Sequence, residues 1–220
     1  GSPGIGSGNA LLFTPDGGFQ KYLANFTLVT LPNPGDTLRL AFNYRFTTAP
    51  AGANDGWRMG LFNSNATRQT ADLGNTSTRN DDKGYLFTTN AGAVATNSRV
   101  QKEDAGDDIL GGSALGGIAA VGSSVASIAN DTASHSMLFQ ITRTTNGDLQ
   151  LRGQIDGTTA ATGTATGASV LTYAFDEFAI GFGATGAQAP FYVDNLTITK
   201  LDLPLLDITA ANAAEVGASA

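Results

Sequence analysis

The segment Leu38 to Phe46 constrains the fold more than any other. Leu38, Leu40, Phe42, Tyr44 and Phe46 alternate with Arg39, Ala41, Asn43 and Arg45. The repeat is two residues, not 3.6, so the segment reads as a strand with one apolar and one polar face. That pattern suits an antiparallel sheet that buries one face and wets the other. The same rhythm returns at Met137, Phe139 and Ile141, at Leu149, Leu151, Gly153 and Ile155, and at Phe178, Ile180 and Phe182. Less regular strands are expected at Phe26–Leu31, Trp57–Phe62 and Tyr85–Thr88, with a last strand over Phe191–Leu203.

Turn chemistry punctuates these runs. Pro32-Asn33-Pro34-Gly35-Asp36 ends the first strand. Thr145-Asn146-Gly147-Asp148 predicts a hairpin with a type I′ turn, because Asn-Gly tolerates two positive φ angles. Asp156-Gly157 predicts another turn. Thr47–Gly56 and Asn63–Lys83 read as loops. Gln101–Asp131, acidic and then rich in Gly, Ala and Ser, reads as a long crossing loop with a weak helical signal at Ile118–Ile128.

About ten short strands separated by turns predict an all-β, antiparallel β-sandwich of jelly-roll type with little helix. The expected organisation is a leader or cloning remnant at 1–5, a single jelly-roll domain at 6–206 and an Ala-rich tail or linker at 207–220. A chain of 220 residues is ample for one buried core without staples.

Composition narrows the function classes. There is no cysteine, which removes disulfides, thiolate metal sites and thiol nucleophiles. A net charge of −7 with sparse lysine argues against nucleic acid, which needs a basic footprint, and against docking on anionic lipid. No apolar run is long enough to insert into a membrane.

Several segments, taken in order, resemble a known family: Gly6-Ser7-Gly8-Asn9-Ala10-Leu11, Gly35-Asp36-Thr37-Leu38 leading into Phe42-Asn43-Tyr44-Arg45-Phe46, Trp57-Arg58-Met59-Gly60-Leu61-Phe62-Asn63, Asp82-Lys83-Gly84-Tyr85, His135-Ser136, Ile141-Thr142-Arg143 and Val193-Asp194-Asn195-Leu196-Thr197-Ile198. The series is similar to the concanavalin A-like, or laminin-G-like, jelly rolls of secreted planctomycete and verrucomicrobial proteins, many of which carry a PEP-CTERM sorting tail. The resemblance implies a secreted or cell-surface location and a place within a larger modular protein reached through either terminus. It also implies one structural calcium ion joining an early loop to the last strand. Asp194 and Asn195, polar residues inside an apolar strand where the alternation shifts as at a bulge, and Asp16 are the candidate ligands, since carboxylate and amide oxygens suit calcium.

The candidate ligand-binding residues are polar strand positions and loop residues. Arg39, Asn43 and Arg45 lie on one strand, Arg58 on a second, and Gln140, Gln150, Arg152 and Gln154 on a hairpin pair. Guanidinium and amide groups match sugar hydroxyls and uronate carboxylates. Arg79, Asp82 and Tyr85 bring mixed charge and an aromatic ring from a long loop. The plain alternative is a solvated sheet face and a solvated loop. Trp57 shares strand parity with Met59 and Leu61 and is expected in the core.

Catalytic signals are weak. His135 is the sole histidine. A lyase would have to draw on Tyr44 or Tyr85 with His135 and Arg45. Retaining glycosidases need closely spaced carboxylates on one side of a strand, whereas Asp176 and Glu177 are adjacent and point to opposite faces. The expected function is therefore a non-catalytic carbohydrate-binding module that recognises an extracellular polysaccharide through a polar concave sheet face. The alternatives are a structural or adhesion domain of a bacterial surface protein, and a polysaccharide lyase.

Overall fold

A computed structural model describes Ile5 and residues 9–15, 21–50, 56–68, 81–89, 98–104, 109–111, 115–117, 131–183 and 188–202. Twelve strands run through them: β1 (Leu11–Phe13), β2 (Lys21–Thr30), β3 (Thr37–Phe46), β4 (Trp57–Asn63), β5 (Lys83–Thr89), β6 (Arg99–Glu103), β7 (Leu115–Gly117), β8 (His135–Arg143), β9 (Leu149–Ile155), β10 (Thr158–Ala165), β11 (Ala174–Phe182) and β12 (Phe191–Leu201). They form two six-stranded sheets, ordered β1-β12-β3-β8-β9-β10 and β2-β11-β4-β5-β6-β7. Every pairing is antiparallel. The all-β sandwich expected from the alternation is the fold, and its only helical element among the described residues is a 3-10 turn at Gly167–Ser169. None of the described helices is long and apolar enough to cross a membrane.

The alternation dictates the packing. Leu38, Leu40, Phe42, Tyr44 and Phe46 all turn inward and join Met137, Phe139, Ile141, Leu149 and Leu151 from their own sheet. They meet Trp57, Met59, Leu61, Tyr85, Phe87 and Phe178 from the other sheet in one core. Trp57, fully buried as its parity required, lies 4.7 Å from Tyr44, 5.3 Å from Phe46 and 5.3 Å from Phe191 between ring centroids. Tilted and edge-on rings at such distances are favoured by the aromatic quadrupole.

Several sequence expectations are corrected. β1, β10 and the first half of β2 carried no clear period-two apolar signal, because Thr, Ala, Gly and edge positions have little to bury. The segment after Gln101 is not all loop: β6 and β7 occupy its start and middle and pair in register. The helical signal at Ile118–Ile128 and the tail from Asp207 lie outside the described residues. The last strand ends at Leu201 rather than Leu203.

The turn types also differ from expectation. The β8–β9 hairpin forms, but Asn146 does not take a positive φ. Gly147 alone does, at 82°, and its N–H closes a turn on the carbonyl of Thr144. That is a three-residue loop with glycine at the left-handed position. The type I′ turn sits instead at Asp156-Gly157, where φ is 49° and 75°, between the paired residues Ile155 and Thr158.

Candidate functional site

In the first sheet β3 lies between β12 and β8, and β9 and β10 follow. Cross-strand register then decides which polar side chains become neighbours. Arg39 is opposite Gln140, Gln140 opposite Arg152 and Arg152 opposite Thr162, with Thr199 on the far side of Arg39. The next row outward holds Thr142, Gln150 and Thr164, and the next one inward Ala41, Leu138, Gln154 and Thr159. Asn43 pairs with Ser136 on one side and Asp194 on the other, and Arg45 with Tyr192. The structure thus gathers Arg39, Asn43, Arg45, Gln140, Gln150, Arg152 and Gln154 on the outward face of one sheet.

Their local partners leave much of this face open. Arg39 and Gln150 are exposed. Arg152 is exposed and donates through Nε and Nη2 to the Thr159 hydroxyl, at 2.9 and 2.7 Å. The Gln140 amide donates to Thr142 at 3.1 Å and that of Gln154 to the Gly157 carbonyl at 3.0 Å. Arg45 stacks on the ring of Tyr192, 5.1 Å from its centroid. Such contacts fix the fan of donors without covering it.

Three sequence candidates do not belong to this face. Arg58 is on β4, in the other sheet. Its Nη1 donates to the carbonyl of Leu110 at 2.6 Å, while the Leu110 N–H donates to the carboxylate of Glu103 at 2.8 Å. Leu110 holds a φ of 60°, which is strained for a leucine, and with Ile109 it closes a small apolar cluster over Phe62, Leu86 and Ala179. Burial lowers the pKa of the Arg58 guanidinium, against the opposing charge of Glu103. Arg58 therefore clamps chain to chain. Tyr85 is fully buried, since its parity on β5 is that of Phe87. Its hydroxyl donates to Ser169 O and accepts from the Leu171 N–H, and burial pushes its pKa up to about 12. It offers no ring to a ligand in solvent. Asp82 is 4% exposed and is likewise turned away from solvent. Arg79 lies outside the described residues.

Asp194 and Asn195 sit at the bulge that the broken alternation predicted, between Asp194 and Thr197, with Asn195 at φ 54°. The two Asp194 carboxylate oxygens accept the backbone N–H groups of Ile5 at 3.2 Å and Asn195 at 2.8 Å. Calcium takes six to eight oxygen ligands. Among the described residues no group of three or more acidic or histidine side chains could hold a metal, and Asp16 lies outside them. The described residues do not by themselves make the calcium site; what they show at Asp194 is a carboxylate tying the N-terminal segment to a bulge.

The candidate lyase set is not assembled either. Tyr44 is fully buried and its hydroxyl has no hydrogen-bond partner. Burial, with the charges of Asp156 and Asp131, raises its pKa well above the ordinary phenol value. His135 Nδ1 meets Asp156 at 2.7 Å and Nε2 meets Asp131 at 2.9 Å. Burial opposes charging the imidazole, but the two carboxylates outweigh it and raise the pKa. An imidazole with both nitrogens so engaged has no lone pair for proton abstraction. Sequence reasoning did not foresee this cluster. Its signal was Asp156 at a positive-φ turn beside the sole histidine, which only the pairing of β8 with β9 brings together.

No family model matches the chain, and no curated protein matches it. The solved structures that resemble it do so in fold. The potassium-bound carbohydrate recognition domain of Emp46p superposes with a TM-score of 0.52 at 11% identity, over 86% of this chain and 82% of that one. A mutant of alginate lyase Aly36B in complex with alginate tetrasaccharide gives 0.51 at 16% identity, over 88% and 82%. What the chain shares with that carbohydrate recognition domain and that alginate lyase is the fold, a sandwich of antiparallel sheets.

Proposed function

We propose that the chain is a non-catalytic carbohydrate-binding module, secreted or displayed at the cell surface, that recognises an extracellular polysaccharide through the outward face of its first sheet. The observation carrying this reading is the row Arg39, Gln140 and Arg152 on three adjacent strands, with Asn43, Gln150 and Gln154 beside it. Planar donors and acceptors at strand spacing, ~4.8 Å, suit a chain of hydroxyl-bearing rings lying across the strands. Carbohydrate recognition by a protein of the same fold supports it; the fold alone does not separate binding from catalysis. A glycan array probed with the folded protein tests the proposal. Binding that drops about tenfold in a Gln140→Ala/Gln154→Ala variant, the loss of a few hydrogen bonds, is the expected result. No binding on a broad array moves the reading to the second one.

That second reading, a structural or adhesion domain, has its own observation. Leu11, Leu12, Leu28, Leu196 and Leu201 are exposed large apolar residues on β1, β2 and β12, and apolar surface of that kind serves protein contacts.

A further inference from the structure

Several of the described basic residues are held by an acid or by a backbone carbonyl. Arg68 pairs with Asp176 at 2.9 Å, Lys83 with Asp104 at 3.7 Å, and Lys200 with Asp36 and Asp202. Arg143 donates to the carbonyls of Leu31 and Pro32, and Arg58 to that of Leu110. Arg39, Arg45 and Arg152 meet no carboxylate among the described residues. Arg152 touches only a hydroxyl, and Arg45 only a ring. All three are on the outward face of the first sheet. The acids bordering that face are already engaged: Asp194 by backbone N–H groups, Asp156 by His135 and Ser136.

This is an unusual place to leave three guanidinium groups without counter-charge in a chain of net charge −7. Nearby carboxylates would lower their mutual repulsion, and the chain has acids in excess. Arg39 and Arg152 are two strands apart, ~10 Å, and Arg45 is six residues along β3 from Arg39, ~20 Å. A single sugar cannot span that triangle; an extended polymer can. Guanidinium groups bind carboxylate and sulfate in a planar, two-pronged geometry that neutral hydroxyls do not match.

We infer that the ligand of this face is an acidic polysaccharide, one carrying carboxylate or sulfate groups at repeated positions and contacting Arg39, Arg45 and Arg152 together. The inference rests on the carbohydrate-binding reading above and narrows it. Gln140, Gln154 and Asn43 between the arginines, with Gln150 beside Arg152, meet the hydroxyls of the intervening rings, which separates an acidic glycan from other polyanions.

The test is titration of the intact chain with three polymers of matched length: a polyuronate, a sulfated polysaccharide and a neutral glucan. At least one acidic polymer is expected to bind, more tightly than the glucan, with affinity falling about tenfold or more between about 50 and about 500 mM salt as surface charges are screened. The Arg39→Ala/Arg45→Ala/Arg152→Ala variant is expected to lose about tenfold or more of that affinity with its melting temperature little changed. The two acidic arms decide between carboxylate and sulfate. Binding of the neutral glucan as tightly, and unaltered in the triple variant, overturns the acidic ligand while leaving a carbohydrate-binding module. Binding of none of the three polymers overturns both. Equal binding of a single-stranded oligonucleotide of matched charge makes the face a general polyanion surface and overturns the assignment to a polysaccharide.

Discussion

The imidazole of His135 lies against the ring of Tyr44, with centroids 5.4 Å apart and planes 31° from parallel. Tyr44 is the first-sheet core residue directly opposite His135 on β3, so the stack forms where the sheet ends and the core gives way to solvent. Asp131 and Asp156 hold the two ring nitrogens, and Asp156 also accepts the Ser136 N–H at 2.8 Å. A protonated imidazole satisfies both carboxylates; a neutral one can donate to only one.

Stability should therefore depend on pH through this cluster. The His135 pKa is raised, so its contribution is fully present below the unfolded value of ~6.5 and is lost as pH rises through the folded value. The Asp131 pKa is lowered by its hydrogen bond to His135; for Asp156, burial pushes upward, but the bonds to His135 and Ser136 prevail and lower it. Their contribution is present above ~4 and fades as pH falls below that. Melting temperature should pass through a maximum between those limits. In His135→Ala the alkaline decline should flatten and stability at pH 5 should fall by about 1 kcal/mol, discounted because both carboxylates are half exposed. An alkaline decline identical in the variant and the parent would remove His135 as its origin.

The core predicts a sharp contrast at Trp57. Trp57→Ala should cost about 3–5 kcal/mol, since it empties the centre of the aromatic cluster. Trp57→Phe should cost much less, about 1–2 kcal/mol, because Nε1 has no hydrogen-bond partner and no acceptor is stranded when it goes. Urea denaturation followed by circular dichroism measures both, and it must be used because the substitution removes the sole tryptophan.

Gly153 on β9 faces Phe87 of the opposite sheet. A Cβ at Gly153 would stand 2.4 Å from Phe87 Cδ2, well inside contact distance, and Phe87 is fully buried with nowhere to retreat. Gly153→Ala should destabilise by about 1–3 kcal/mol through overpacking. Adding Phe87→Leu should recover part of that loss, so that the double variant is less destabilised than the two single costs summed. Strict additivity would show that the two residues do not meet across the core.

The clamp on Leu110 should be separable from the sandwich. Glu103→Ala takes the acceptor from the Leu110 N–H and the opposing charge from the vicinity of Arg58, and should lower stability by about 1–3 kcal/mol. Hydrogen exchange at Ile109 and Leu110 should accelerate most, and the amides of β3 and β8, on the far sheet, should change only with global stability. Uniform acceleration across both sheets would mean that Glu103 supports the whole fold and not this local closure.

The sequence by itself determined the class of fold and the inward face of each regular strand. Alternation is a local property, and once Leu38 to Phe46 must bury alternate residues, its arginines and asparagine must face out. It also marked the bulge at Asp194 and the turns at Asn146-Gly147 and Asp156-Gly157. It could not see β1 and β7, each three residues long and too short to show a period, or β10, whose Thr, Ala and Gly residues carry little apolar contrast.

Only the tertiary structure decided which polar residues share a face. Arg39 and Arg152 are far apart in the chain and become neighbours across Gln140 through the order β3-β8-β9. Arg58 looked like their equal but went to the other sheet, under Leu110, and Tyr85 went into the core because one position of register decides inside from outside. Strand order is set by long-range packing of two sheets, a sum over many weak contacts. No short stretch of sequence encodes it.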